Sequence, residues 1–171
     1  MKSFENKVAA ITGAGSGIGR ALALGLARQG CHLALADVNS AGLKETAELA
    51  RALGVKVSEA LVNVAERDAV QAWADQVMAE YGQVNAIFNN ASVAQGGTVE
   101  GNDYADYEWV MSINFWGVVN GTKAFLPHLK STGEGHIVNT SSIFGLFAQP
   151  GMSAYNASKF AVRGFTEALR Q

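Results

Sequence analysis

With 171 residues, the chain is long enough for one domain with a sizeable core and too short for two ordinary ones. Hydrophobic residues at 49% and charged residues at 16% exclude a disordered or fibrous chain. Its 13 basic and 15 acidic residues give a net charge of −2 with no like-charged block, so neither nucleic acid nor an anionic membrane is expected as partner.

The first stretch, "MKSFENKVAAITGAG", holds an apolar run of about four residues, against the roughly 7–15 of a secretory signal. Cys31 stands alone, which rules out an internal disulfide and reads as a small buried hydrophobe rather than a nucleophile. Both observations point to a cytoplasmic, reducing setting. Strands and helices then alternate. "KVAAIT" (7–12) is the first expected strand, followed by a helix from Gly17 to Gln29 that stops at Gly30. "HLALAD" (32–37) leads to a helix capped by Asn39 or Ser40 and closed by Gly54. "VKVSEAL" (55–61) precedes the helical stretch "ERDAVQAWADQVMAEYG" (66–82), and "VNAIFNN" (84–90) precedes the polar loop "SVAQGGTVEGND" (92–103).

A fourth helix is expected from Asp103 towards Pro127. Its apolar stretch "WVMSINFWGVVNGTKAFL" is interrupted by Asn114, Asn120 and Lys123, and so reads as a buried helix rather than a membrane span. "GHIVNTS" (135–141) is the fifth strand, and a fifth helix runs from Met152 to the end. Strands that are apolar in continuous blocks suit a parallel sheet covered on both faces, and right-handed crossovers make it doubly wound. The expected fold is α/β, a five-stranded doubly wound parallel sheet of Rossmann type with helices on both faces. The tail "AVRGFTEALRQ" ends inside a helical pattern without a capping Gly or Asn, and a fifth strand would be left as an open edge. The chain therefore reads as the front portion of a longer protein, or as one whose edge a partner covers.

"TGAGSGIG" (12–19) places four glycines between the first strand and the first helix. A turn there must bend sharply, admit a phosphate to the main chain and pack the helix on the strand, and a Cβ would obstruct each. The helix N-terminus then offers free N–H groups and a positive dipole end to a pyrophosphate. Gly13, Ser16, Gly17, Ile18 and Gly19 are the candidate contacts. Asp37 lies 18 residues past Gly19, near the usual spacing of about 20 for an acid that accepts from an adenosine ribose hydroxyl. The plainer reading of Asp37 is a helix-capping or solvated turn acid. As a ribose ligand it would repel the 2′-phosphate of NADP, and neither Ser16 nor Val38 supplies a base to offset it. NAD is therefore the expected cofactor; Arg20, in the first helical turn, is the nearest base that would argue for NADP.

"YNASK" puts Tyr155 and Lys159 four apart on one helical face. A phenol, with a pKa of about 10, is a poor base at neutral pH, but a neighbouring ammonium favours the phenolate. Such a pair can exchange a proton with an alcohol; alone, it is more often a surface contact. Taken with "NNAS" (89–92), "INFWG" (113–117), "IVNTSS" (137–142) and the glycine turn, the chain resembles the short-chain dehydrogenase/reductase family along its whole length.

The resemblance implies one NAD(P)-binding Rossmann domain over residues 1–171, incomplete at its C-terminal end. It implies an NAD-dependent oxidoreductase that interconverts a secondary alcohol and a ketone. Tyr155 would be the general acid/base, and Lys159 would hold the nicotinamide ribose. Ser142 would steady the substrate oxygen, with the adjacent Ser141 as competitor. Asn114 would hold a proton-relay water, against the alternative of an amide satisfied by a neighbouring carbonyl. Asn63 and Val64 would meet adenine, and Asn90 and Ala91 the cofactor ribose. Ser92 departs from the family's usual glycine, and Asn63 from its usual aspartate. A homodimer or homotetramer through the fourth and fifth helices is implied as well. His32, His128 and His136 lack ligand spacing, so no metal is expected. The alternatives are a nucleotide-binding or scaffolding module without catalysis, and an NADP-dependent reductase.

Overall fold

The computed structural model describes residues 3–169. Five parallel strands, β1 (Val8–Thr12), β2 (His32–Asp37), β3 (Val57–Leu61), β4 (Ala86–Asn89) and β5 (His136–Asn139), lie in the order β3-β2-β1-β4-β5. The helices are α1 (Gly17–Ala27), α2 (Ser40–Arg51), α3 (Arg67–Tyr81), α4 (Tyr104–Met111), α5 (Gly117–Ser131) and α6 (Ser153–Ala168). The strand order reverses between β1 and β4, which opens a crevice at their carboxyl ends.

Alternation along each strand explains why the strands are apolar throughout. Ala9 and Ile11 of β1 join Leu33, Leu35 and Phe88 under α1 and α2, whereas Val8 and Ala10 join Ala34 and Ile87 under α3 and α5. On that second face Trp73 meets Phe125 edge-on at 5.0 Å, a geometry that adds to the burial of both rings. At the amino end of β1, the Asn85 side chain accepts from the Val8 N–H at 2.9 Å and so fixes where the pairing with β4 begins.

The structure refines the expected fourth helix. It starts at the Asp103 cap, which exchanges hydrogen bonds with Asp106, and runs through α4 into a π-helical turn over Ser112–Trp116. It then continues past Pro127 to Ser131. Pro127 and Lys123, whose carbonyl loses its helical partner, are both exposed, so the missing bond falls on the solvent side of the helix. No described helix is long and apolar enough to cross a membrane. The expected run of the last helix to Gln171 lies partly outside the described residues; among these, α6 ends at Ala168 with Leu169 as its cap.

Candidate active site

A cleft of about 600 Å³ opens at the strand reversal. Its lining follows the strand ends in sheet order: Asn63 and Val64 after β3, Asp37 on β2, Gly13, Ser16, Gly17 and Ile18 after β1, and Asn90 and Ala91 after β4. Gly13 has φ +66, and a Cβ there would stand 2.8 Å from the Ala91 Cα. Gly17 has φ +50 and faces open space. Gly19 does not line the cleft; it packs under the turn, where a Cβ would collide with the Gly13 carbonyl. Ser16, the N-cap of α1, makes no side-chain capping bond, so the first-turn N–H groups have no cap competing for them.

The Asp37 carboxylate accepts from Gly15 N–H at 2.7 Å and from Asn39 N–H at 2.9 Å. It closes the glycine turn onto β2 while still facing the cleft. Arg20 turns the other way. Its guanidinium bonds the Gly15 carbonyl at 2.8 Å, Thr46 at 2.9 Å and Glu45 at 2.7 Å. Asn63 accepts from Ala65 N–H at 3.1 Å, while Asn120 holds the Val64 carbonyl at 2.9 Å.

At the opposite end, β5 and α6 bring Ser142, Tyr155 and Lys159 to the same cleft. Lys159 is 1% exposed, and its ammonium donates to the Thr140 carbonyl at 3.0 Å. Burial lowers its pKa from 10.5 to about 8, since desolvation disfavours the charged form. The ammonium sits 5.5 Å from the centre of the Tyr155 ring. The two neighbouring serines part company. Ser141 donates to the Lys159 carbonyl at 3.1 Å and ties the strand end to α6. Ser142 accepts from Phe144 N–H at 3.2 Å, which leaves its own proton for another acceptor.

Asn114 lies outside the cleft lining. Buried in the π turn, it accepts from Val93 N–H at 2.8 Å and donates to the Val93 carbonyl at 2.9 Å and to Ser158 Oγ at 3.0 Å. Ser158 in turn donates to the Tyr155 carbonyl at 2.7 Å. Thr12, the first residue of the glycine motif and not one of its expected contacts, braces the site. Thr12 Oγ1 accepts from Asn90 and Ala91 N–H at 2.9 and 3.1 Å, and Asn90 Nδ2 returns a bond to the Thr12 carbonyl at 3.1 Å. This exchange clamps β1 to β4 beneath the glycine turn. A hydroxyl before a glycine run was the one available signal for it.

A family model described as short chain dehydrogenase matches residues 7–171. The chain belongs to the short-chain dehydrogenase family. Over its whole length it is 60% identical to a putative oxidoreductase, SadH, of Mycobacterium tuberculosis, and it spans 62% of that relative. Among solved structures it is similar to a short-chain dehydrogenase/reductase from Burkholderia phymatum in complex with NAD, with a TM-score of 0.96 and 44% identity over 99% of this chain and 60% of that one. It is also similar to an NAD+-bound xylitol dehydrogenase, with a TM-score of 0.95 and 34% identity over 98% of this chain and 65% of that one. The chain thus spans less than two thirds of the length of these members of the family.

Proposed function

We propose that the protein carrying this chain is an NAD-dependent oxidoreductase that interconverts a secondary alcohol and a ketone. The observation that carries this reading is the meeting of Tyr155, Lys159 and Ser142 in the same cleft that the glycine turn lines. The residues fit the dinucleotide: Gly17 offers an open, positive-φ approach to the first-turn amides, and Asp37 lines the same cleft. Asp37 would accept from the adenosine ribose hydroxyls, and Asn63 and Val64 would flank the adenine. Arg20, spent on Glu45, Thr46 and Gly15, does not offset a 2′-phosphate, which favours NAD over NADP. The Burkholderia and xylitol dehydrogenase relatives, both described with NAD, support the same choice.

When bound, the nicotinamide supplies the carbon that takes up or gives back the hydride of the substrate carbinol. Tyr155 takes the hydroxyl proton as the alcohol becomes a ketone and returns it in reverse. Lys159 stabilises the charge left on the phenolic oxygen and, with its remaining donors, holds the nicotinamide ribose. Ser142 donates to the substrate oxygen. Asn114, expected as the holder of a relay water, acts in this reading by holding the β4 loop and α6 in register beneath the pair. The reading extends to a cytoplasmic homodimer or homotetramer joined through α4–α5 and α6, on whose surfaces Trp109, Trp116 and Phe160 are exposed.

Titration with NADH and NADPH, followed by turnover on a panel of secondary alcohols, tests the reading. NADH is expected to bind more tightly. Tyr155→Phe is expected to bind NADH as the wild type does and to lose turnover by roughly 10²–10⁴-fold, the usual contribution of a positioned proton donor. Unchanged turnover in that variant would reject the assignment, and NADH binding without turnover in the wild type would leave a nucleotide-binding module.

A further inference from the structure

We infer that Arg20 is a positioning residue for the cofactor: without touching the ligand, it holds the Gly15–Ser16 peptide so that the Ser16 N–H is presented to the diphosphate. This rests on the dinucleotide-binding reading above. Arg20 stands in the first turn of α1, yet its side chain leaves that helix for α2. Its Nε donates to the Thr46 hydroxyl at 2.9 Å. One terminal nitrogen donates to the Gly15 carbonyl at 2.8 Å and to the Glu45 carboxylate at 2.7 Å, with the Gly42 carbonyl at 3.4 Å. Thr46 is fully buried and gives its own proton to the Gly42 carbonyl at 3.0 Å, so its oxygen meets Arg20 as an acceptor. The guanidinium is thus aimed from inside the protein, with Glu45 balancing its charge on the solvent side.

Gly15 is gripped at both of its polar groups. Its N–H goes to the Asp37 carboxylate at 2.7 Å and its carbonyl to Arg20. Packing reinforces the second grip, since a Cβ on Gly42 would lie 2.6 Å from the Gly15 oxygen. In a planar trans peptide the N–H lies opposite the C=O, and no peptide bond among the described residues is cis. With the Gly15 carbonyl fixed on α2, the Ser16 N–H therefore points away from α2, and Ser16 lines the cleft. Among the described residues no acceptor takes that N–H. A free N–H at the start of a helix suits an anion, and a fixed one loses little ordering entropy when the anion binds. Without Arg20, a peptide with glycine on one side is free to rotate, and the N–H is presented only part of the time.

The test is a binding measurement on the full-length protein, in which the fluorescence of bound NADH is followed as ADP or adenosine displaces it. ADP carries the diphosphate, whereas adenosine reaches only the part of the cleft that Asp37 lines. Arg20→Met is expected to weaken NADH and ADP by roughly ten-fold, about what one hydrogen bond to a charged group contributes, and to hold adenosine close to the wild type. Arg20→Lys, whose ammonium can still meet the Gly15 carbonyl, is expected to recover part of the loss. Thr46→Val removes the acceptor that aims the guanidinium at nearly unchanged shape. It is expected to weaken ADP by a smaller factor, and it decides the matter should Arg20→Met fold poorly. Equal losses for ADP and adenosine would overturn the inference, because Arg20 would then be a general support of the turn and of Asp37. So would ADP affinity that ignores Arg20 while the wild type binds NADH, a result that leaves the dinucleotide reading standing. If the wild type binds neither NADH nor ADP, that reading itself fails and the inference falls with it.

Discussion

Burial of the Lys159 ammonium lowers its pKa from 10.5 to about 8, so between those values the unfolded chain holds a proton that the folded one sheds. The unfolded state then binds more protons, and this residue's contribution to stability becomes more favourable as pH rises across that window; below about 8 the full penalty of burying the charge is present. Urea unfolding of the wild type and of Lys159→Met should trace this directly. The gap between the two stabilities is expected to move in favour of the wild type by on the order of 3 kcal/mol as pH climbs through the window. A gap independent of pH would mean that the ammonium is hydrated in the folded protein. Tyr155 and Lys159 were legible in the sequence because four-residue spacing alone puts them on one helical face. The separate contacts of Ser141 and Ser142 were not, because they depend on which hydroxyl the Lys159 carbonyl captures.

Between elements, the cleft depends on bonds that no periodicity announces. Thr12 joins β1 to the loop after β4 through two partly buried N–H groups, and Thr12→Val would leave both without this acceptor at nearly unchanged shape. Each orphaned donor costs about 1–3 kcal/mol, so the midpoint of denaturant unfolding should fall markedly, with NADH binding weakened alongside it. Thr12→Ser keeps the oxygen and is expected to stay near wild type. Equal losses in both variants would instead point to the lost methyl packing. The five strands could be read from apolar runs bounded by Gly and polar residues, and the first three helices from caps and stops such as Asn39 and Gly82. The fourth helix was read as a single element because its apolar positions are continuous. Its π turn comes from Asn114 locking onto Val93, a contact between residues 21 apart that helical spacing cannot contain. Pro127, a usual stop, is tolerated because it faces water.

For the molecule as a whole, strand order is what brings distant motifs together. The reversal at β1 and β4 sets the first turn of the chain beside a helix more than a hundred residues later, so the glycine turn and the Tyr155–Lys159 pair share one cleft. The expected doubly wound sheet captured that meeting. What it could not give is how far Phe147 is exposed, a property of the folded surface and not of its spacing. The most direct test follows the hydrogen itself: NADH deuterated at the transferable position of nicotinamide C4 is supplied to the full-length protein with a ketone, and the product alcohol is weighed by mass spectrometry. Deuterium at the carbinol carbon with the wild type, and formation of the same labelled alcohol roughly 10²–10⁴-fold more slowly with Tyr155→Phe, is the expected result. An alcohol formed without deuterium, or formed at the same rate by both proteins, would contradict the placement of the chemistry at this cleft.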